Sequence, residues 1–204
     1  MNPRPGAQPP ADLATRIDAV VIGASAGGVE GLSALLPALP KSTRAAVFVV
    51  LHQPREHHSV LAEIYAPRCA LVVKEAVDKD PVQPGTIYFA PPDYHLLLDR
   101  GPQTALSVDE PVHFSRPSID VLFESAADLY RQRLLGVILT GASQDGAAGL
   151  AAIKAAGGVT AVQEPDASYA SHMANAALRL CPADLVLTVP ALADLFASLG
   201  QMQR

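Results

Sequence analysis

Six short apolar runs punctuate the chain, at residues 19–23, 45–51, 71–76, 134–140, 158–163 and 185–189. Most are unbroken rather than alternating, the pattern of strands covered on both faces. Between them apolar residues recur at three- and four-residue steps. The alternation of the two patterns predicts βαβ units in a doubly wound, mainly parallel sheet with helices on both faces. The helical period is clearest after Arg116-Pro117-Ser118, where Ile119, Leu122, Phe123, Ala126, Ala127 and Tyr130 fall on one face and Ser118 is placed as the N-cap.

The rhythm breaks between about 84 and 110. There "GTIYFAPPDYHLLLD" reads as two extended runs around Pro91-Pro92-Asp93, with a third run at 104–108, and the stretch is expected to form an antiparallel hairpin insertion. The expected fold class is α/β: a doubly wound sheet carrying that hairpin. With 204 residues, 50% of them hydrophobic, the chain can bury one substantial core, so residues 17–204 are read as one domain. Residues 1–16 hold four prolines in the first ten positions and are expected to be a flexible tail. No apolar stretch follows a basic start there, so this is not the pattern of a secretory signal.

Charge narrows the function. The formal net charge is -5 and no lysine or arginine cluster occurs, which argues against nucleic acid as a partner. The longest apolar run, Ala45 to Leu51, is far short of the roughly 18 to 20 residues that span a bilayer, so membrane insertion is not expected and a cytoplasmic location is. Cys69 and Cys181 lie far apart and outside any Cys-x-x-Cys, which suits buried thiols in a reducing compartment.

The first run ends in "VVIGASAGGVE", where Gly23, Ser25 and Gly27 have the Gly-x-Ser-x-Gly spacing of a sharp strand-to-helix turn. A dinucleotide site would want glycine at position 25 and an acidic residue after the second strand. The second run ends instead in Leu51-His52-Gln53. "GVILTGASQDGAAG" then brings Asp145 off a third strand into a loop before an alanine-rich helix. Ligands of open α/β sheets bind beyond the carboxyl ends of the strands, so Ser25, His52 and Asp145 leave the sheet where chemistry is expected. A serine hydroxyl needs a histidine to take its proton, and that imidazole needs a carboxylate to orient it. These roles fall to Ser25, His52 and Asp145 in turn, with the backbone N–H of Ala26 as candidate oxyanion donor. Plainer uses compete: Ser25 or Asp145 as helix N-caps, Asp166 as a rival acid, and His57-His58 as a solvated helix start rather than metal ligands. His95, His113 and His172 are assigned to surface or packing roles.

In this order, "GASAGG", "LHQP", "PGTIYFAPPDYHLLL", "SRPSIDVLF" and "LTGASQDGAAGL" resemble the catalytic domain of the chemotaxis protein-glutamate methylesterases, the CheB family, over about residues 18–200. The resemblance places the family's catalytic serine, histidine and aspartate on Ser25, His52 and Asp145. It implies hydrolysis of glutamyl methyl esters on the cytoplasmic helices of chemoreceptors, with release of methanol, and in many members deamidation of receptor glutamines. It implies no cofactor and no metal. Family members usually carry a receiver domain, for which the residues before the first strand are too few. The expectation is a constitutively open catalytic domain, any phosphorylation switch being absent or supplied by a separate receiver protein.

Several family positions differ. Ala26 replaces a threonine, and Gly141-Ala142-Ser143-Gln144-Asp145-Gly146 stands where the family has Gly-Met-Gly-x-Asp-Gly. The resemblance places Ala142, Ser143 and Met173 around the substrate pocket, widened by loss of the methionine, with Ser143 at a position where a left-handed backbone would be costly. A hydrolase for another ester or amide, and a non-catalytic receptor-binding module, are the alternatives.

Overall fold

The computed structural model describes residues 10, 12–53, 59–165 and 171–200. A short helix, α1 (Leu13–Arg16), precedes β1 (Ala19–Ala24), α2 (Gly28–Ala38), β2 (Ala46–Leu51), α3 (Leu61–Tyr65), β3 (Val72–Glu75) and β4 (Thr86–Phe89). There follow β5 (His95–Asp99), β6 (Gln103–Ser107), α4 (Ile119–Tyr130), β7 (Leu134–Ile138), α5 (Ala147–Ala155), β8 (Val159–Gln163), α6 (His172–Leu180), β9 (Leu185–Leu187) and α7 (Val189–Ser198). Seven strands form one parallel sheet in the order β3-β4-β2-β1-β7-β8-β9, and β5 pairs antiparallel with β6 in a separate hairpin.

The unbroken apolar runs are explained by two cores, one on each face of the sheet. Val20, Ile22 and Ala24 of β1 pack with Leu32 and Leu36 of α2 and Leu192 and Phe196 of α7, while Ala19 and Val21 face Phe123 of α4 and Ile153 of α5. All six residues of β1 and all six of β2 are buried, so neither strand has a polar face to alternate. The apolar stripe of α4 lies against the sheet, with Ile119, Leu122, Phe123, Ala126 and Ala127 buried as their period predicts.

Three expectations change. Thr86–Phe89 is not part of the hairpin: it enters the main sheet between β3 and β2, parallel to both and wholly buried. The prolines at 91 and 92 mark the turn that leaves this strand, and only β5 and β6 form the hairpin. The run at 185–189 stops as a strand at Leu187, because Thr188 caps α7 through its hydroxyl, which accepts from the Ala191 N–H, and Pro190 stands in that helix's first turn. Within the expected tail 1–16, Leu13–Arg16 is helical and Leu13 is buried in the core, while residues 1–9 and 11 lie outside the described residues.

Close approach of α4 and α5 depends on Gly149. A Cβ there would stand 2.5 Å from Phe123 Cβ and 3.1 Å from the Asp120 backbone. Gly149→Ala is expected to destabilise the protein by about 1–3 kcal/mol, the usual cost of overpacking, read as a lower urea midpoint at unchanged slope.

Candidate active site

The sheet changes direction at β1, whose neighbours are β2 on one side and β7 on the other. Segments leaving these three strands therefore share one edge, at the switch point where open α/β sheets bind ligands. Ser25 follows β1 directly, and its N–H donates to the Thr140 carbonyl beyond β7 at 3.0 Å. His52 follows β2, and its N–H donates to the Ala24 carbonyl at 3.0 Å. Residues 141–146 carry the β7 end across to α5.

Ser25 is not the N-cap of α2. That position is Gly27, with φ 80°, and the Ser25 carbonyl instead accepts from the Gly28 N–H at 2.8 Å. The left-handed turn needs glycine at 27, and a Cβ at Gly28 would sit 2.5 Å from Ala24 Cβ, so these glycines let the helix start tight against the strand. Ala26 is exposed, and among the described residues no backbone carbonyl takes its N–H. Such an N–H is free to meet an oxyanion.

Asp145 is fully buried, and its Oδ2 accepts from His52 Nε2 at 2.8 Å. It does not cap its own helix. Its oxygens reach the start of α4, where they accept from the Ile119 N–H at 2.7 Å, the Asp120 N–H at 2.9 Å and the Ser118 hydroxyl at 2.8 Å. The capping expected of Ser118 is thus performed by Asp145, and the Ser118 hydroxyl serves the carboxylate rather than the helix. Burial pushes the Asp145 carboxyl up, but the His52 ring, the Asp120 and Ile119 N–H groups and the Ser118 hydroxyl outweigh it and hold the group below its ordinary value. An ionised carboxylate only accepts, so His52 Nε2 carries the hydrogen, and in the neutral ring Nδ1 is then the nitrogen with the lone pair.

Around this pair, the loop 141–146 keeps its shape without a left-handed serine. Ser143 lies outside the positive-φ region, which in this loop is taken by Gly146 at φ 97°, and the Ser143 hydroxyl accepts from the Asp145 N–H at 3.1 Å. Ala142 is exposed. Met173 is buried behind Gly141: its N–H donates to the Gly141 carbonyl at 2.9 Å, and its thioether fills the space a Cβ at 141 would need. Gly141 would also clash with Ser25 Cβ, at 2.8 Å, if it bore a side chain.

Two histidines given packing roles take part in the surroundings. His95, buried, accepts the Ser118 N–H at Nδ1 at 3.2 Å. His113 Nε2 lies 3.3 Å from Asp120 Oδ2, in a cleft of about 350 Å³ lined also by Gln144, Ala147, Ala176 and Arg179. Burial above all, with the charge of nearby Asp145, pushes the Asp120 carboxyl up, against the Gly149 N–H that it accepts at 2.7 Å. His172 is exposed at the start of α6. His57, His58 and Asp166 lie outside the described residues. Among those described, no group of three or more His, Cys, Asp or Glu is gathered as a metal site, and no helix is long and apolar enough to cross a membrane. Ser115, Ser118 and Asp120 carry no sequence signal as site residues beyond polar groups recurring within six positions where α4 begins.

A sequence profile of the family described as CheB methylesterase matches residues 20–196. The chain belongs to the CheB methylesterase family. It is similar in structure to the crystal structure of the Thermotoga maritima CheB methylesterase catalytic domain, with a TM-score of 0.84 and 32% identity over 90% of this chain and 98% of that one. A protein-glutamate methylesterase/protein-glutamine glutaminase of Anaeromyxobacter dehalogenans is 43% identical over 86% of this chain, which spans 51% of that protein. A Leptospira interrogans protein with a provisional assignment to the same two activities is 41% identical over 90% of this chain and 95% of its own length. The CheB match agrees with the fold, a parallel sheet with a separate antiparallel hairpin.

An asparagine at 145 would turn two donors toward groups that already donate. Asp145→Asn is expected to lower stability by about 1–3 kcal/mol and the hydrolytic rate about ten-thousandfold. The native carboxylate's contribution is fully present above its ordinary value near about 3.9 and is lost as pH falls through the lowered folded value. Urea unfolding between pH 2 and 6 checks this: the difference between parent and variant should shrink only at the acid end.

Proposed function

We propose that this chain hydrolyses glutamyl methyl esters on the cytoplasmic helices of chemoreceptors, with Ser25 as nucleophile, His52 as general base and Asp145 as the group that orients the base. The observation that carries the reading is the 2.8 Å bond from His52 Nε2 to a buried, ionised Asp145 at the sheet edge from which Ser25 also departs. Membership in the CheB family supports the substrate class, and relatives named for both methylesterase and glutaminase activities support deamidation of glutamine at the same site. Action on the cytoplasmic part of a receptor places the protein in the cytoplasm.

Ser25 Oγ attacks the ester carbonyl while its proton moves to His52 Nδ1, and the carbonyl oxygen becomes an oxyanion facing the Ala26 N–H. Asp145 stabilises the imidazolium through Nε2–H. Collapse of the tetrahedral intermediate breaks the bond to methoxide, which takes the Nδ1 proton and leaves as methanol. Water then repeats the attack on the Ser25 ester, giving up its proton to Nδ1; collapse breaks the bond to Ser25 Oγ, which recovers that proton from Nδ1, and free glutamate is released. With a glutamine side chain the leaving group is ammonia and the remaining steps are the same.

Methanol release from methylated receptor fragments tests the reading. Ser25→Ala is expected to lower kcat by at least about a thousandfold at unchanged stability, since members of such a set act as a unit. Equal release by parent and variant, or none from the parent at high concentration, would overturn it.

A further inference from the structure

We infer that Ser115 is a positioning residue that holds the His52 ring in its working plane; the inference rests on the reading of His52 as general base. The imidazole is tethered along Cβ–Cγ and restrained at Nε2 by Asp145, and a contact at Nδ1 limits the rocking that one hydrogen bond still allows. Ser115 Oγ lies 3.4 Å from His52 Nδ1, on the other side of the ring. With the hydrogen on Nε2, Nδ1 can only accept, so in the resting state the Ser115 hydroxyl donates. The contact is long enough to yield the lone pair to Ser25 when its proton moves. Once Nδ1 is protonated the same hydroxyl can turn and accept, so it follows the base through both protonation states without movement of the chain.

The backbone that presents Ser115 is built at a cost. Val112 and Ser115 exchange N–H to carbonyl bonds at 3.1 and 2.9 Å, closing a two-residue turn whose central residues, His113 and Phe114, have φ of 49° and 62°. Turns of this shape ordinarily use glycine, asparagine or aspartate, and other residues hold it only where the surroundings over-determine it. They do so here. Arg116, next to Ser115, donates to the carbonyls of Val108 and Asp109 and to the Asp93 carboxylate. His113 is held between Asp120 and the Gln144 amide, and His95 binds the Ser118 N–H. A segment tied at each end and strained between them delivers one hydroxyl to the base.

The test compares parent, Ser115→Ala, Ser115→Thr and Ser25→Ala for methanol release from methylated receptor fragments, with urea midpoints measured in parallel. Ser115→Ala should lower kcat about five- to tenfold, the worth of one ordinary hydrogen bond, with KM within about twofold and the midpoint unchanged. Ser115→Thr, which keeps the hydroxyl, should recover most of the rate. An unchanged kcat in Ser115→Ala, or a loss that follows KM or stability and that threonine does not restore, overturns the inference while the effect of Ser25→Ala leaves the triad standing. Full activity in Ser25→Ala would instead remove the triad, and with it the role given to Ser115.

Discussion

The carboxylate of Asp145 is the constraint on which the site depends. It has about four acceptor positions, and they are occupied by the His52 ring, the Ser118 hydroxyl and the first two N–H groups of α4. A buried charge is costly unless so satisfied, and the positive end of a helix is a favourable place to put one. The same atom contacts thus stabilise the helix start, keep the carboxylate ionised and choose the tautomer of the histidine. Stability and chemistry cannot be separated at this residue.

The sheet makes that convergence possible. Strand β1 lies between β2 and β7, so segments far apart in the chain, around residues 25, 52 and 145, leave neighbouring strands at one edge. Small residues let them approach: Gly141 has Ser25 on one side and Met173 on the other, and a Cβ at Gly23 would stand 2.4 Å from Ile119 Cγ2, at the first residue of the helix that Asp145 caps. The segment 112–118 closes the remaining side, bringing Ser115 to His52 and Ser118 to Asp145.

Much of this is legible in the sequence because parallel strands buried on both faces write themselves as continuous apolar runs, and because residues just beyond such runs are forced to one edge. Ser25, His52 and Asp145 can be grouped on that ground alone. What pairs with what is less legible. Thr86–Phe89 has the same composition whether it enters a hairpin or the main sheet, and its place between β3 and β2 is decided by burial against Val47 to Val49, forty residues earlier at each partnered pair. Likewise an aspartate before an alanine-rich helix looks like that helix's cap; only the packing of α4 against α5 brings it to a different N-terminus. The hydroxyl of Ser115 gives no periodic signal, since its role comes from a tight turn whose central residues, His113 and Phe114, are not the usual turn formers.

The most direct measurement of the central claim is the ¹⁵N spectrum of the His52 ring in the resting protein at neutral pH, assigned by comparison with His52→Gln. The account predicts a single tautomer, with a protonated, slowly exchanging Nε2 bound to Asp145 and an unprotonated Nδ1. A hydrogen on Nδ1, or a ring averaging between the two tautomers, would contradict it.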